Sequence, residues 1–256
     1  MKKNNKEQHE FAFFYPETTK LGIEIPLGTM CAIDDRILCH RIMHVLRLTQ
    51  GESFTLFDSH KHLECVLQEI NERKLHAIVR AYECNVSFAP HITFMVPLLK
   101  KEAFEESIYT LTELGANAIQ LIDTQKTQRT WGGQKEQERI ERIMQAAAEQ
   151  SKNFAYPSVS SPVSLQSAIG AIHRDAAIRV FFDPEGCSLN DVITSINTSL
   201  STRIVLVIGP EGDLTADEKA YLNGHGFVFC QLTPTILRAQ QAVTVSLGAL
   251  RSLLAF

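Results

Sequence analysis

From about residue 91 onward, apolar runs rich in β-branched and aromatic residues alternate with amphipathic stretches, and that alternation leaves few folds open. "ITFMVPLL", "NAIQLI", "AIRVFFD", "RIVLVIG" and "FVFCQL" read as strands. Helical spacing between them predicts helices near residues 102–114, 135–151, 189–199 and 215–223, and a last helix running to the C-terminus. Strands that stay apolar instead of alternating are buried on both faces, so the expectation is a parallel α/β sheet covered by helices on each side. The serine-rich "SVSSPVSLQS" reads as a surface connection.

The first third is organised differently. "FAFFY", "SFTLFD", "LECVLQEI" and "LHAIVRAYEC" are extended segments, interrupted by one helical stretch, "DDRILCHRIMHVLRL", in which Ile37, Ile42, Val45 and Leu46 recur near helical spacing. "TQGES" then supplies a glycine stop. This pattern predicts a small β-rich barrel. A chain of 256 residues that is 45% hydrophobic is long enough for two cores, and the expected division is 1–84 and 85–256.

Several function classes drop out. No apolar run approaches the ~20 residues that span a bilayer, and the polar start MKKNNKEQHE is followed by no signal-type apolar stretch, so a soluble cytoplasmic protein is expected. Six cysteines without a C-x-x-C pair suggest neither a zinc site nor a disulfide framework. His40 and His44 share an i,i+4 spacing, but with no third ligand in view they read as solvated or capping histidines, and no metal is expected. A net charge of -4 argues against indiscriminate nucleic-acid binding. A specific RNA partner requires the basic residues to gather on one face.

The densest motif is "RIVLVIGPEGDLTADEKAYL". Thr215-Ala216-Asp217-Glu218 fits a capping box, so "GPEGDL" is the loop between a strand and a helix. Ligands of open α/β sheets bind at that edge. Gly209 and Gly212 allow close approach and positive φ, Pro210 stiffens the turn, and Glu211 brings a carboxylate. On these residues alone a structural turn and a ligand wall stand level, and the spacing fits neither a P-loop nor a dinucleotide fingerprint. A second strand end, "LTPTILRAQQA", opens a helix whose Val243, Leu247, Leu250 and Leu254 form an apolar stripe. Arg238 falls at its start, where a cation opposes the helix dipole. It therefore calls for an RNA phosphate, a carboxylate such as Glu211, or a ligand carboxylate, unless its stem packs flat with the head in water.

Taken in order, "HRIMHVLRLTQGE", "LLKKEAFEESIYTLTELGANAIQLI", "AAAEQS", "IGPEGDLTADE" and "LTPTILRAQQA" resemble the motifs of the RsmE-type 16S ribosomal RNA uracil-N3 methyltransferases of the SPOUT superfamily. The resemblance implies an N-terminal PUA-like β-barrel that binds RNA and a C-terminal SPOUT domain with a parallel sheet and trefoil knot. It also implies S-adenosyl-L-methionine as cofactor, a homodimer, and 16S rRNA of the small-subunit decoding region as partner. The chain departs from the family pattern at Asp213, where a second glycine is usual, at Thr233, and at Ala239-Gln240-Gln241-Ala242, usually Thr-Glu-Thr-Ala. Ala12 and Asn153 also stand where arginine is common.

Carried onto this chain, the resemblance implies a cofactor pocket of three loops: Phe182, Asp183 and Pro184; Ile208, Gly209, Pro210, Glu211 and Gly212; Leu232, Thr233, Ile236 and Leu237. Arg238 is the expected catalytic cation, set against the charge that develops on uracil. Glu211 is the candidate base by type, with solvent as the other candidate. Arg41 and Arg47 in the first domain, and Lys100, Lys101, Lys126 and Arg129 in the second, are the expected RNA contacts. The competing readings are a non-catalytic SPOUT-fold RNA-binding or ribosome-assembly factor, and a SPOUT methyltransferase for another RNA site.

Overall fold

The computed structural model describes residues 11–172, 177–198 and 203–254. The chain divides between Val86 and Ser87 into two compact units.

The first unit contains β1 (Phe11–Phe14), α1 (Thr18–Glu24), β2 (Met30–Asp34), α2 (Arg36–His40), β3 (Ser53–Phe57), β4 (Lys61–Ile70) and β5 (Lys74–Cys84). They build one sheet in the order β1-β3-β4-β5-β2, with β1 and β3 parallel and the other pairs antiparallel. Among the described residues β1 and β2 remain its two edges and no pairing closes a barrel. Inward positions alternate along the strands, and Phe13, Phe54, Leu56, Leu63, Leu67 and Val79 form the core. Asp35 caps α2 by accepting from the N–H groups of Ile37 and Leu38, and the helix widens into a π-helical turn over Arg41–Leu46. Arg47 ends that turn in a left-handed conformation at φ 56°. The segments α1 and β2 carry no clear period and escape a sequence reading.

The second unit runs β6 (His91–Pro97), α3 (Lys101–Glu113), β7 (Ala118–Asp123), α4 (Gln134–Ser151), β8 (Ser158–Ser164), α5 (Leu165–Gly170), β9 (Ala177–Ser188), α6 (Leu189–Thr198), β10 (Arg203–Val207), α7 (Ala216–Gly224), β11 (Val228–Gln231) and α8 (Ala239–Leu253). The sheet order is β11-β9-β10-β6-β7-β8, and every pairing is parallel. The two-residue period splits β10 between opposite cores: Ile204 and Leu206 join Phe104, Met144 and Leu247 on one face, while Val205 and Val207 join Leu165, Leu214 and Leu222 on the other. That double burial is why its sequence is apolar without alternation.

One expectation needs correction. "SVSSPVS" is not a loose connection: it forms β8, paired only with β7, and Ser164 caps the α5 that follows. An edge strand with few buried side chains carries no apolar signal to read. The end expected for the helix at 189–199, Ser199, lies outside the described residues. Among the described residues no helix is long and apolar enough to cross a membrane, and no group of three or more His, Cys, Asp or Glu is placed to hold a metal.

Strand order reverses between β6 and β10. The chain moves outward through β7 and β8 on one side of β6, and β10 lies on the other. The loops leaving β6 and β10 therefore diverge, which opens a crevice at the carboxyl edge of the sheet.

Candidate active site

The crevice is a cleft of about 730 Å³. Lys100 and the first turns of α3 form one side, through Glu102, Ala103 and Glu106; Ile208, Gly209, Pro210, Glu211 and Asp213 form the next. Phe182 and Pro184 enter from β9, and Ile236, Leu237, Arg238, Gln240 and Ala242 enter from the start of α8. A smaller recess of about 60 Å³ adjoins it, lined by Asp183, Cys230, Leu232, Thr233 and Thr235 with the shared Phe182, Ile236 and Leu237. The cleft's volume is in the range of pockets that take cofactor-sized ligands. Ile236 is 83% exposed at the mouth, an apolar surface that a ligand can cover.

The loop after β10 is held from several sides. Glu211 Oε1 accepts the N–H of Lys100, the N-cap of α3, at 2.8 Å, so its carboxylate lies at the positive end of that helix. Lys126 Nζ donates to the carbonyl oxygens of Gly212 at 2.9 Å and Leu214 at 3.4 Å. The expected capping box is present: Thr215 Oγ1 accepts from Glu218 N–H, and Glu218 Oε2 accepts from Thr215 N–H at 2.8 Å. Glu218, 2% exposed, also accepts the N–H of Gln125 from the loop after β7 at 2.9 Å.

Neither Gly209 nor Gly212 takes positive φ; the left-handed residue is Asp213, at φ 60°. Asp213 meets the cost of that conformation with its own side chain, since Oδ1 accepts the N–H of Leu214 at 2.7 Å. Gly209 is needed for space, because a Cβ there would lie 3.1 Å from Asp213 Oδ1. Lys219, on the first turn of α7, pairs with Asp213 at 2.7 Å and with the buried Asp183 at 2.6 Å. Burial alone would lower the Lys219 ammonium, but the two carboxylates outweigh it and raise its pKa above the ordinary lysine value.

The profile of the RNA methyltransferase domain matches residues 87–251, which is the second unit almost entire and includes all four walls of the cleft. The chain belongs to the RNA methyltransferase family. Among this family's curated members, a ribosomal RNA small subunit methyltransferase E from Mycobacterium bovis is 30% identical over 213 residues, covering 80% of each chain. One of the same name from Synechocystis is 30% identical over 219 residues, 84% of this chain and 71% of that one. A crystal structure of a ribosomal RNA small subunit methyltransferase E from Neisseria gonorrhoeae bound to S-adenosyl methionine has the same fold, with a TM-score of 0.81 and 24% identity over 96% of this chain and 98% of that one.

For this RNA methyltransferase, the structure brings together the three loops read from sequence. All the expected cofactor residues line the cleft or its recess except Gly212, whose carbonyl is turned to Lys126. Arg238 is the N-cap of α8, makes no side-chain cap, and lines the cleft with Glu211. Thr233 lines the recess, and its hydroxyl donates to the Thr235 carbonyl at 2.7 Å, which stiffens the loop. Asn153 is buried and donates to the Thr112 carbonyl at 2.8 Å, a packing role.

The basic residues separate into two kinds. Lys100 and Lys101 line a groove of about 450 Å³ that adjoins the cleft through Lys100 and Glu211. Arg129 lines that groove too, yet its guanidinium is paired with Glu136 and stacked 4.9 Å over the Phe104 ring. Lys126 is committed to the loop it holds. In the first unit, Arg41 lies 5.1 Å over the Phe13 ring, and Arg47 is exposed. Glu102, Glu106 and Lys219 were missed by sequence reasoning. The first two follow from asking what leaves every strand's carboxyl end; Lys219 carries no local signal.

Proposed function

We propose that the chain is an S-adenosyl-L-methionine-dependent methyltransferase of small-subunit ribosomal RNA, acting on N3 of a uridine in 16S rRNA. The observation that carries this reading is the cleft at the strand-order reversal, walled by four loops of a domain that belongs to the RNA methyltransferases. The residues fit the cofactor: Phe182, Ile208, Ile236 and Leu237 supply apolar wall, and Glu102, Glu106, Glu211 and Asp213 outnumber the cations Lys100 and Arg238, a balance suited to a sulfonium. When bound, the cofactor supplies an electrophilic methyl group.

The protein's task is then to orient the uracil ring and manage its charge, since an in-line displacement gains most from near-attack positioning. Arg238 faces the negative charge left on uracil as N3 loses its proton, held by the backbone of α8's first turn. With Glu211 engaged by the Lys100 N–H, we assign Glu211 to the wall of the pocket and the departing proton to solvent. N3 is on the pairing edge of the base, so the target is unpaired or flipped out. Lys100 and Lys101 are suited to the neighbouring phosphates.

In the same reading the first unit is a PUA-like RNA-binding domain, a role supported by Arg47 on its surface, and the boundary expected at 84/85 falls two residues before the division between Val86 and Ser87. A C-terminal trefoil knot belongs to the same reading. A homodimer is supported by Val245 and Leu253, exposed on α8. An rRNA substrate makes the cytoplasm the place of action.

Mass mapping of small-subunit rRNA from cells with and without the protein tests the substrate: one methyluridine is expected to disappear in its absence, and an unchanged map removes the assignment. Calorimetry tests the cofactor, and no heat at millimolar S-adenosylmethionine would favour a non-catalytic RNA-binding protein. Arg238→Ala is expected to lower kcat by about 10²–10³ while leaving cofactor affinity within about threefold. Full turnover in that variant removes Arg238 from the chemistry.

A further inference from the structure

We propose that Lys219 is a positioning residue of the cofactor cleft, a single cation that sets the spacing between the β9 wall and the β10 wall. The inference deepens the reading above and rests on it.

Lys219 does not itself line the cleft, yet its Nζ ends between one carboxylate from each wall: Asp183 Oδ2 at 2.6 Å and Asp213 Oδ2 at 2.7 Å. Asp183 is 4% exposed on its side chain and lines the recess; its other oxygen accepts the N–H of Glu185 at 2.9 Å, which shapes the bend in β9. Asp213 lines the cleft, and its backbone is left-handed. The ammonium also lies 5.8 Å over the ring of Phe181, the last β9 residue paired with β10.

A lysine on the first turn of a helix opposes the dipole, and a buried carboxylate without a partner is costly. Lys219 and the buried Asp183 are each in an unfavourable place alone, the half-exposed Asp213 adds a second carboxylate from the other wall, and the cation meets both only where the two walls hold this separation. The raised pKa of Lys219 agrees with a cation held in common by both walls.

The test is titration of S-adenosylmethionine into the full-length protein, with steady-state kinetics on small-subunit RNA. Lys219→Met is expected to raise the cofactor Kd and KM at least tenfold, while kcat at saturating cofactor stays within about threefold; Lys219→Arg, which can still bridge two carboxylates, restores most of the affinity. Asp213→Asn leaves the buried Asp183 pair intact and is expected to raise the Kd about threefold, which keeps the proposal testable if Lys219→Met fails to fold. If both variants bind as the unaltered protein does, or if Lys219→Met loses kcat and KM changes little, the positioning role is overturned. Failure of the unaltered protein to bind the cofactor sinks the functional reading as well, a result distinct from either.

Discussion

Gly186→Ala is expected to destabilise the second unit by about 3 kcal/mol or more, at the upper end for overpacking, with a fall in Tm on the order of 10 °C for a domain of this size. A Cβ at this position would overlap the backbone of Phe229 and Cys230. Flexible side chains yield to such an overlap, but here the obstacle is main chain in a strand already paired with β9 through Val228, Phe229, Cys230 and Gln231. The pairing is also irregular at that point, with a register shift between Phe229 and Cys230, so the close approach belongs to the way β9 passes β11. Phe182 to Pro184 precede the crossing, and Leu232 follows it. The variant is therefore expected to lose cofactor binding along with stability. Differential scanning calorimetry and a cofactor titration check both, and an unchanged Tm would show that β11 can move away.

Arg251→Met is the second large effect, expected at about 3 kcal/mol, because charge-assisted hydrogen bonds to buried acceptors are lost and the acceptors are left unpaired. Arg251 is 6% exposed, and among the described residues no carboxylate is paired with it. Instead its guanidinium donates to the Gly115 carbonyl at 2.7 and 3.2 Å, to the Pro90 carbonyl at 2.9 Å and to Asn117 Oδ1 at 2.7 Å, with the Phe88 ring 5.7 Å away. Burial pushes its pKa down to about 10, so it stays charged at neutral pH. Methionine keeps the stem's packing and removes every donor. Lysine cannot reproduce the planar fork and is expected to recover less than half of the loss. Denaturant unfolding of the two variants decides it, and equal stability of Met and Arg at this position would mean that water replaces the guanidinium.

The sheet and most of its helices were legible because both faces of β6, β7, β9 and β10 are buried, which forces continuous apolar runs, and because Gly115 and the Thr215 capping box mark helix ends. β8 was not legible, since an edge strand has one partner and needs little apolar surface. The three loops were legible as a site only through the resemblance of their motifs to a known family, since on its own residues "GPEGDL" stands level between a structural turn and a ligand wall and the strand-order reversal is not written in the sequence. Their tethers were not. Sequence shows that Lys126, Arg129 and Lys219 are cations, but Gly212, Glu136 and Asp183 become their partners only through pairings between distant strands. The φ of 60° at Asp213 was hidden for a related reason: glycine is the usual occupant of left-handed backbone, and only the structure shows a side chain supplying its own compensation.

The order in which the walls occur along the chain has a consequence for biosynthesis. Along the chain the loops after β6 and β10 and the β9 wall all precede α7, while Leu237 and Arg238, at the start of α8, come after every one of them. Arg251 then binds α8 back to Pro90 and Gly115, at the front of the same unit. Closure of the cleft and locking of the unit thus both wait on α8, and a nascent chain whose α8 has not yet docked holds a sheet with no competent pocket.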